Sequence, residues 1–319
     1  MSFCYIVCIS LITCILLLFA SNCYYKTILF KDTQEYFIKN AAGKKWNYLS
    51  FGSAYCRFGL DFNAAGYMDG RNLGYGSQFF YYTDKMLRQY GDLVPKGGYV
   101  FLICANLVFA EVGKGLYNAD RYPLFLDRKS LGDEWSYWKY IKNVLFPCFF
   151  YPRNNLQVVK HVLRILLGYR SSYEQETNRM SMEQVRQAAA QRCKDWCNQF
   201  NLTDTHTDVI TPALEETFLK TRALLMSMIQ FCLDRELKPI LVVTPISEHL
   251  NALLSERFLK KVLFDNIEKA NVQHVPFLNY IDDPRFQDAK YYFNADMMNA
   301  TGRKEFTRVL MEDVKRENI

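Results

Sequence analysis

Residues 47–55, NYLSFGSAY, decide how this chain folds. The stretch opens on an apolar run that breaks at Gly52, so it reads as a buried strand beginning at Trp46 and ending in a sharp turn. A second stretch near the other end, residues 293–302 (FNADMMNATG), precedes the last helix. Strands alternate with helices in the rest of the chain, the pattern of a parallel sheet with helices on both sides. Residues 98–105 (GYVFLICA) are continuously apolar, as a strand covered on both faces must be. Residues 239–245 (PILVVTP) and 272–280 (VQHVPFLNY) read as further strands, and residues 71–76 (RNLGYG) as a short strand or loop. Helical spacing is present in Phe79, Tyr82, Met86, Leu87 and Tyr90, over residues 212–236 and 251–269, and from Asn299 onward, where Phe306, Val309, Leu310 and Val314 share a face. Ligands of such sheets bind outside the carboxyl ends of the strands. The turns after Phe51, Ala105, Val243 and Tyr280 therefore surround the expected pocket.

Ahead of this pattern, residues 2–20 (SFCYIVCISLITCILLLFA) carry no charged side chain. A helix of about 20 residues spans the hydrocarbon core of a bilayer, and no basic residue precedes the run as it would in a signal peptide. An uncleaved single-pass anchor is the expectation, with residues 1–23 as anchor, 24–45 as a polar and aromatic connector, and 46–319 as the α/β domain. Lys26, Lys31 and Lys39 follow the span, which by the positive-inside rule places the body in the cytoplasm.

The α/β pattern is interrupted at about 107–206 by a helical insertion without obvious strands. Residues 131–151 are rich in aromatics, among them Trp135, Trp138, Tyr140, Phe146, Phe149 and Phe150, and residues 155–169 read as an amphipathic helix. Two readings of these aromatics stand: packing of the insertion on the core, or a surface resting on the bilayer beside the anchor.

The 319 residues are 50% hydrophobic and 16% aromatic, enough to fill a sizeable core and too apolar for a disordered chain. The net charge of +6 is spread along the chain, so no nucleic-acid partner is expected. The ten cysteines read as free thiols, because Cys193 and Cys197 lie four apart and most of the others sit in apolar contexts. There is no P-loop, no GxGxxG after a strand and no HxxxH or CxxC metal spacing, so neither a cofactor nor a metal is expected.

FGSAYCRFGLDF (residues 51–62) resembles the first block of SGNH/GDSL-type hydrolases, in which a strand ends in Gly-(Asp/Asn/Ser)-Ser and the last serine is the nucleophile. NLGYGSQFFYY (residues 72–82) resembles the second block, whose glycine lends an N–H to the oxyanion hole; Gly74 or Gly76 corresponds to it. Asn106 stands where the third block has its asparagine. The last block, Asp-x-x-His followed by Leu-Asn-x-x-Gly, is matched through Asn299 and Gly302. The resemblance implies a three-layer αβα, flavodoxin-like parallel sheet of about five strands. It also implies kinship with membrane-anchored bacterial proteins of the cell surface, and so an extracytoplasmic body, against the lysine rule.

Laid on these blocks, Ala54 stands at the nucleophile, Asn294 at the acid and Met297 at the histidine. A serine hydrolase needs a hydroxyl, a base and an acid that orients the base. Alanine, asparagine and methionine supply none of these. The expectation is a degenerate triad in a non-catalytic binding or scaffold subunit of bacterial cell-surface polysaccharide acylation. Its cleft, formed by Gly52, Ser53, Gly74, Gly76 and Asn106, would hold a glycan or serve a membrane acyltransferase. The alternative shifts the first block by one residue and makes Ser53 the nucleophile of an esterase or O-acyltransferase, with His249 as base and Asp296 as acid.

Overall fold

A computed structural model describes residues 2–111, 119–167 and 180–317. In chain order its strands are β1 (Tyr48–Phe51), β2 (Gly70–Asn72), β3 (Tyr99–Ile103), β4 (Lys238–Val243), β5 (Phe277–Asn279), β6 (Tyr292–Asn294) and β7 (Met297–Met298). The longer helices are α1 (Ser2–Thr27), α2 (Phe80–Tyr90), α3 (Pro152–Leu166), α4 (Met182–Phe200), α5 (Pro212–Leu233) and α6 (Ala300–Arg316). The chain divides into two compact units, one of residues 1–42 and 118–172, the other of residues 43–117 and 173–319. The insertion expected at 107–206 is thus shared between them, and its residues 112–118 and 168–179 lie outside the described residues.

The second unit is an α/β structure built on five parallel strands in the order β2-β1-β3-β4-β5. β3 is central, and Val100, Phe101, Leu102 and Ile103 are all buried, which is why its sequence is apolar without alternation. On one face, Phe101, Ile103, Ile240, Val242 and Leu278 pack with Phe306, Leu310 and Val314 of α6. On the other, α2 lies against β1 and α5 lies against β4, and the two helices pack on each other. Phe306 is fully buried, and truncating a core phenylalanine to alanine costs about 3–5 kcal/mol.

Local chemistry moved several boundaries. The strand expected over 272–280 shrinks to β5, because His274 adopts a left-handed backbone (φ 51°) and the Asn271 side chain bonds both Val275 N–H and Val275 C=O. The helix expected from residue 251 begins at Glu256, where Ser255 caps a new start by accepting from Phe258 N–H. The stretch at 71–76 forms strand only in β2, and its glycines lie in the turn beyond. The antiparallel hairpin β6–β7 was not expected; strands of three and two residues leave no periodicity to read.

The first unit contains α1, whose apolar residues 3–17 are largely exposed, among them Phe3 (77%) and Leu17 (64%). Among the described residues it is the one helix long and apolar enough to cross a membrane, and by its place it also fits a signal sequence. The helix continues four residues past the expected anchor boundary, to Thr27. In the connector a short helix, Gln34–Lys39, carries buried Glu35, which forms an ion pair with Arg121.

Candidate functional site

The strand order reverses between β1 and β3, so the chain leaves these two neighbours in opposite directions and opens a crevice at their carboxyl ends. β1 enters it through Gly52, whose φ of +153° and crowded surroundings exclude a side chain: an added Cβ would lie 3.0 Å from Ile103 Cβ and 3.1 Å from Cys56 Cβ. Ser53 follows as the cap of a short helix, Ala54–Arg57, accepting from Tyr55 N–H at 3.4 Å. The turn after β3 contributes Ala105 and Leu107, and the β6–β7 hairpin presents Asp296 at its tip. α4 closes the side and packs on β6. The resulting cleft encloses about 230 Å³.

Its polar centre is an ion pair. Asp296 is 3% exposed, with Arg192 Nε 2.9 Å from Oδ2 and Arg192 Nη2 donating to Oδ1 at 3.1 Å. Tyr55 Oη donates to Oδ2 at 2.7 Å. Burial, and then the charge of Asp296, hold the Tyr55 phenol well above its ordinary range. Burial alone would lower the Arg192 guanidinium, but Asp296 and Tyr55 outweigh it and raise it. The Arg192 guanidinium and the Tyr55 hydroxyl thus converge on the one Asp296 carboxyl group. Glu111 lines the same cleft half-buried, with Oε2 enclosed and, among the described residues, without a hydrogen-bond partner; burial pushes its carboxyl well above the usual range. In its neutral form such a group donates a hydrogen bond. Trp196 and Phe200 of α4, with Phe79, supply apolar wall.

The two distant sequence blocks do meet here. Ser53, Ala54, Asp296 and Met297 all line the cleft. Asn294 is half-buried on β6 and accepts from Ala295 N–H at 2.7 Å. Gly74 sits tight against the helix start, where a Cβ would lie 2.4 Å from Arg57 N, and its N–H donates to Asn72 Oδ1 at 2.8 Å. That N–H is thus engaged in holding the turn. Gly76 is half-buried in the same turn and, like Gly74, does not line the cleft. Asn106 is 2% exposed and lies between two lining residues, with Nδ2 lacking a partner among the described residues. Asn299 caps α6, accepting from Gly302 N–H at 3.0 Å and donating to Lys290 C=O at 2.7 Å. The Asn-x-x-Gly signature is therefore a helix start.

No histidine lines the cleft. His249 lies in the short helix Glu248–Asn251, half-buried, with Nε2 enclosed and, among the described residues, without a partner. His161 bonds Tyr24 Oη at 2.9 Å in the other unit, His206 is exposed and His274 sits in a turn. Asp296, the acid of the alternative reading, binds Arg192 and Tyr55. Among the described residues no group of three or more His, Cys, Asp or Glu side chains is placed to hold a metal ion.

Arg192, Tyr55, Glu111 and Trp196 were not singled out in the sequence. The signal available was helical spacing: Arg192, Trp196 and Gln199 recur at i, i+4 and i+7, one face of α4 carrying polar groups beside an aromatic. Comparison with known proteins adds nothing to this description: no protein-family model and no curated protein matches the chain.

Proposed function

We propose that this is a membrane-anchored protein of SGNH-hydrolase-like, flavodoxin-like architecture whose cleft binds its ligand without cleaving it. The strand order 2-1-3-4-5 supports the architecture, since it is the order of flavodoxin-like sheets. The observation that carries the functional reading is the cleft itself. Ala54 and Met297, at the nucleophile and histidine positions of the sequence blocks, lie in one cleft with Ser53, and an Arg192–Asp296–Tyr55 set occupies its polar centre. Ser53 has a hydroxyl there, but no imidazole to take its proton.

The ligand class follows from the lining. Apolar wall from Trp196 and Phe200, with Arg192, Gln199 and Glu111 as polar groups, suits a glycan, whose ring faces are apolar and whose edges carry hydroxyls. The setting implied by the sequence blocks is acylation of bacterial cell-surface polysaccharide, with the body outside the cytoplasm. There the protein would present glycan to a membrane acyltransferase. Acetylated and unacetylated cell-wall oligosaccharides, titrated against the full-length protein in detergent, test this through tryptophan fluorescence and mass analysis of the recovered glycan. Saturable binding that is lost in Trp196→Ala, with the acyl groups intact, is expected. Ser53-dependent loss of acyl groups would instead establish an esterase.

A further inference from the structure

Helix α3 carries three faces. The inward face holds Asn154 and Val158, both buried, with Asn155 and His161 beside them. Asn155 donates to Cys148 C=O at 2.6 Å and accepts from Ser21 Oγ at 2.6 Å, and His161 Nδ1 lies 2.9 Å from Tyr24 Oη. A second face repeats Leu156, Val159, Leu163 and Leu166 at i, i+3, i+7 and i+10, exposed by 53%, 53%, 49% and 74%. A third row is basic, with Arg153, Lys160 and Arg164, and the helix contains no acidic residue.

The contacts that hold α1 in this unit lie at its carboxyl-terminal end. Ser21 and Tyr24 reach α3, Asn22 bonds Leu145 C=O and Cys148 N–H, and the Phe19 ring meets Phe149 at 4.9 Å. α3 therefore sits beside the end of the apolar run, where a spanning helix leaves the hydrocarbon. Tyr137 (67% exposed) and Trp138 (56%) share this unit, with Trp138 edge-on to Phe150 at 5.1 Å. Exposed Trp and Tyr are the side chains that favour the headgroup level.

We propose that α3 lies in the plane of the same bilayer that α1 enters, its leucine row at the acyl boundary and its basic row among anionic headgroups. The inference rests on reading α1 as a membrane span. Continuity with that span identifies the occupant of the apolar row as lipid, and a basic flank free of acids matches an anionic surface.

Full-length protein reconstituted into phosphatidylcholine–phosphatidylglycerol vesicles carrying an acyl-chain diazirine lipid would be irradiated, digested and mapped by mass spectrometry. Lipid adducts on residues 2–20 and on residues 156–166 are expected, with several-fold fewer on α3 in the double variant Val159→Gln, Leu163→Gln and unchanged labelling of α1. Adducts on α1 with α3 unlabelled would overturn the inference and leave the anchor standing. Protein–protein crosslinks from α3 in place of lipid adducts would also overturn it, assigning the row to a second copy of the chain. Absence of adducts from α1 as well would remove the anchor reading along with it.

Discussion

Arg192 and Asp296 meet where water has little access, with side chains 27% and 1% exposed. Removing one partner of a buried pair leaves the other charge uncompensated, which costs about 3–5 kcal/mol. Arg192→Ala leaves the enclosed Asp296 carboxylate with the Tyr55 hydroxyl still donating to it, and is expected to lose stability within that range, read from the urea midpoint. Asp296→Ala removes a fully enclosed charge, leaves Arg192 its partial solvation, and is expected to cost less. The buried thiols give a second prediction at this scale. Burial pushes Cys56 and Cys104 up to about 12 from an ordinary 9.0. Their folded pKa lies above the unfolded one, so the stability they contribute is whole below pH 9 and drains away as pH rises toward 12. Urea midpoints at pH 8 and pH 10.5 should therefore fall with alkali, and fall less in Cys104→Ala. An equal fall in both proteins would contradict the assignment.

The turn after β1 and the start of α6 depend on backbone demands. Gly52→Ala places a Cβ against Ile103 and Cys56 at a φ that side chains rarely adopt, and is expected to cost about 1–3 kcal/mol. Asn299→Ala removes the α6 cap and is expected to cost about 0.5–2 kcal/mol, with Asn299→Asp recovering only part of it, because its oxygen still accepts from Gly302 N–H while the donor to Lys290 C=O is lost. Thermal midpoints of the three variants check both. These elements also show what the sequence could disclose. β3 and β4 were legible because burial on both faces demands an unbroken apolar run, and β1 because Gly52 ends it. The shortening of β5 was hidden in a side-chain turn at Asn271, and the hairpin bearing Asp296 was too short to leave a period. Ala54 and Met297 were placed together only by the resemblance of their two blocks to the first and last SGNH/GDSL blocks. Arg192 could not be placed, because its pairing with Asp296 spans 104 residues and no local rule encodes it.

At the scale of the whole molecule, the chain joins a unit bearing an exposed apolar helix to a unit bearing a five-stranded sheet with a cleft. The apolar helix should keep the full-length protein in the membrane pellet after alkaline carbonate extraction. Release into the supernatant would argue for a cleaved leader in place of an anchor. The cleft carries the proposed function: the Ser53 hydroxyl lines it, and among the described residues no histidine does. Fluorophosphonate labelling of folded full-length protein, compared with Ser53→Ala and with a reactive serine hydrolase as positive control, tests it most directly. The expected result is no labelling of either protein. Covalent labelling that disappears in Ser53→Ala would contradict the claim and make His249 the next residue to substitute.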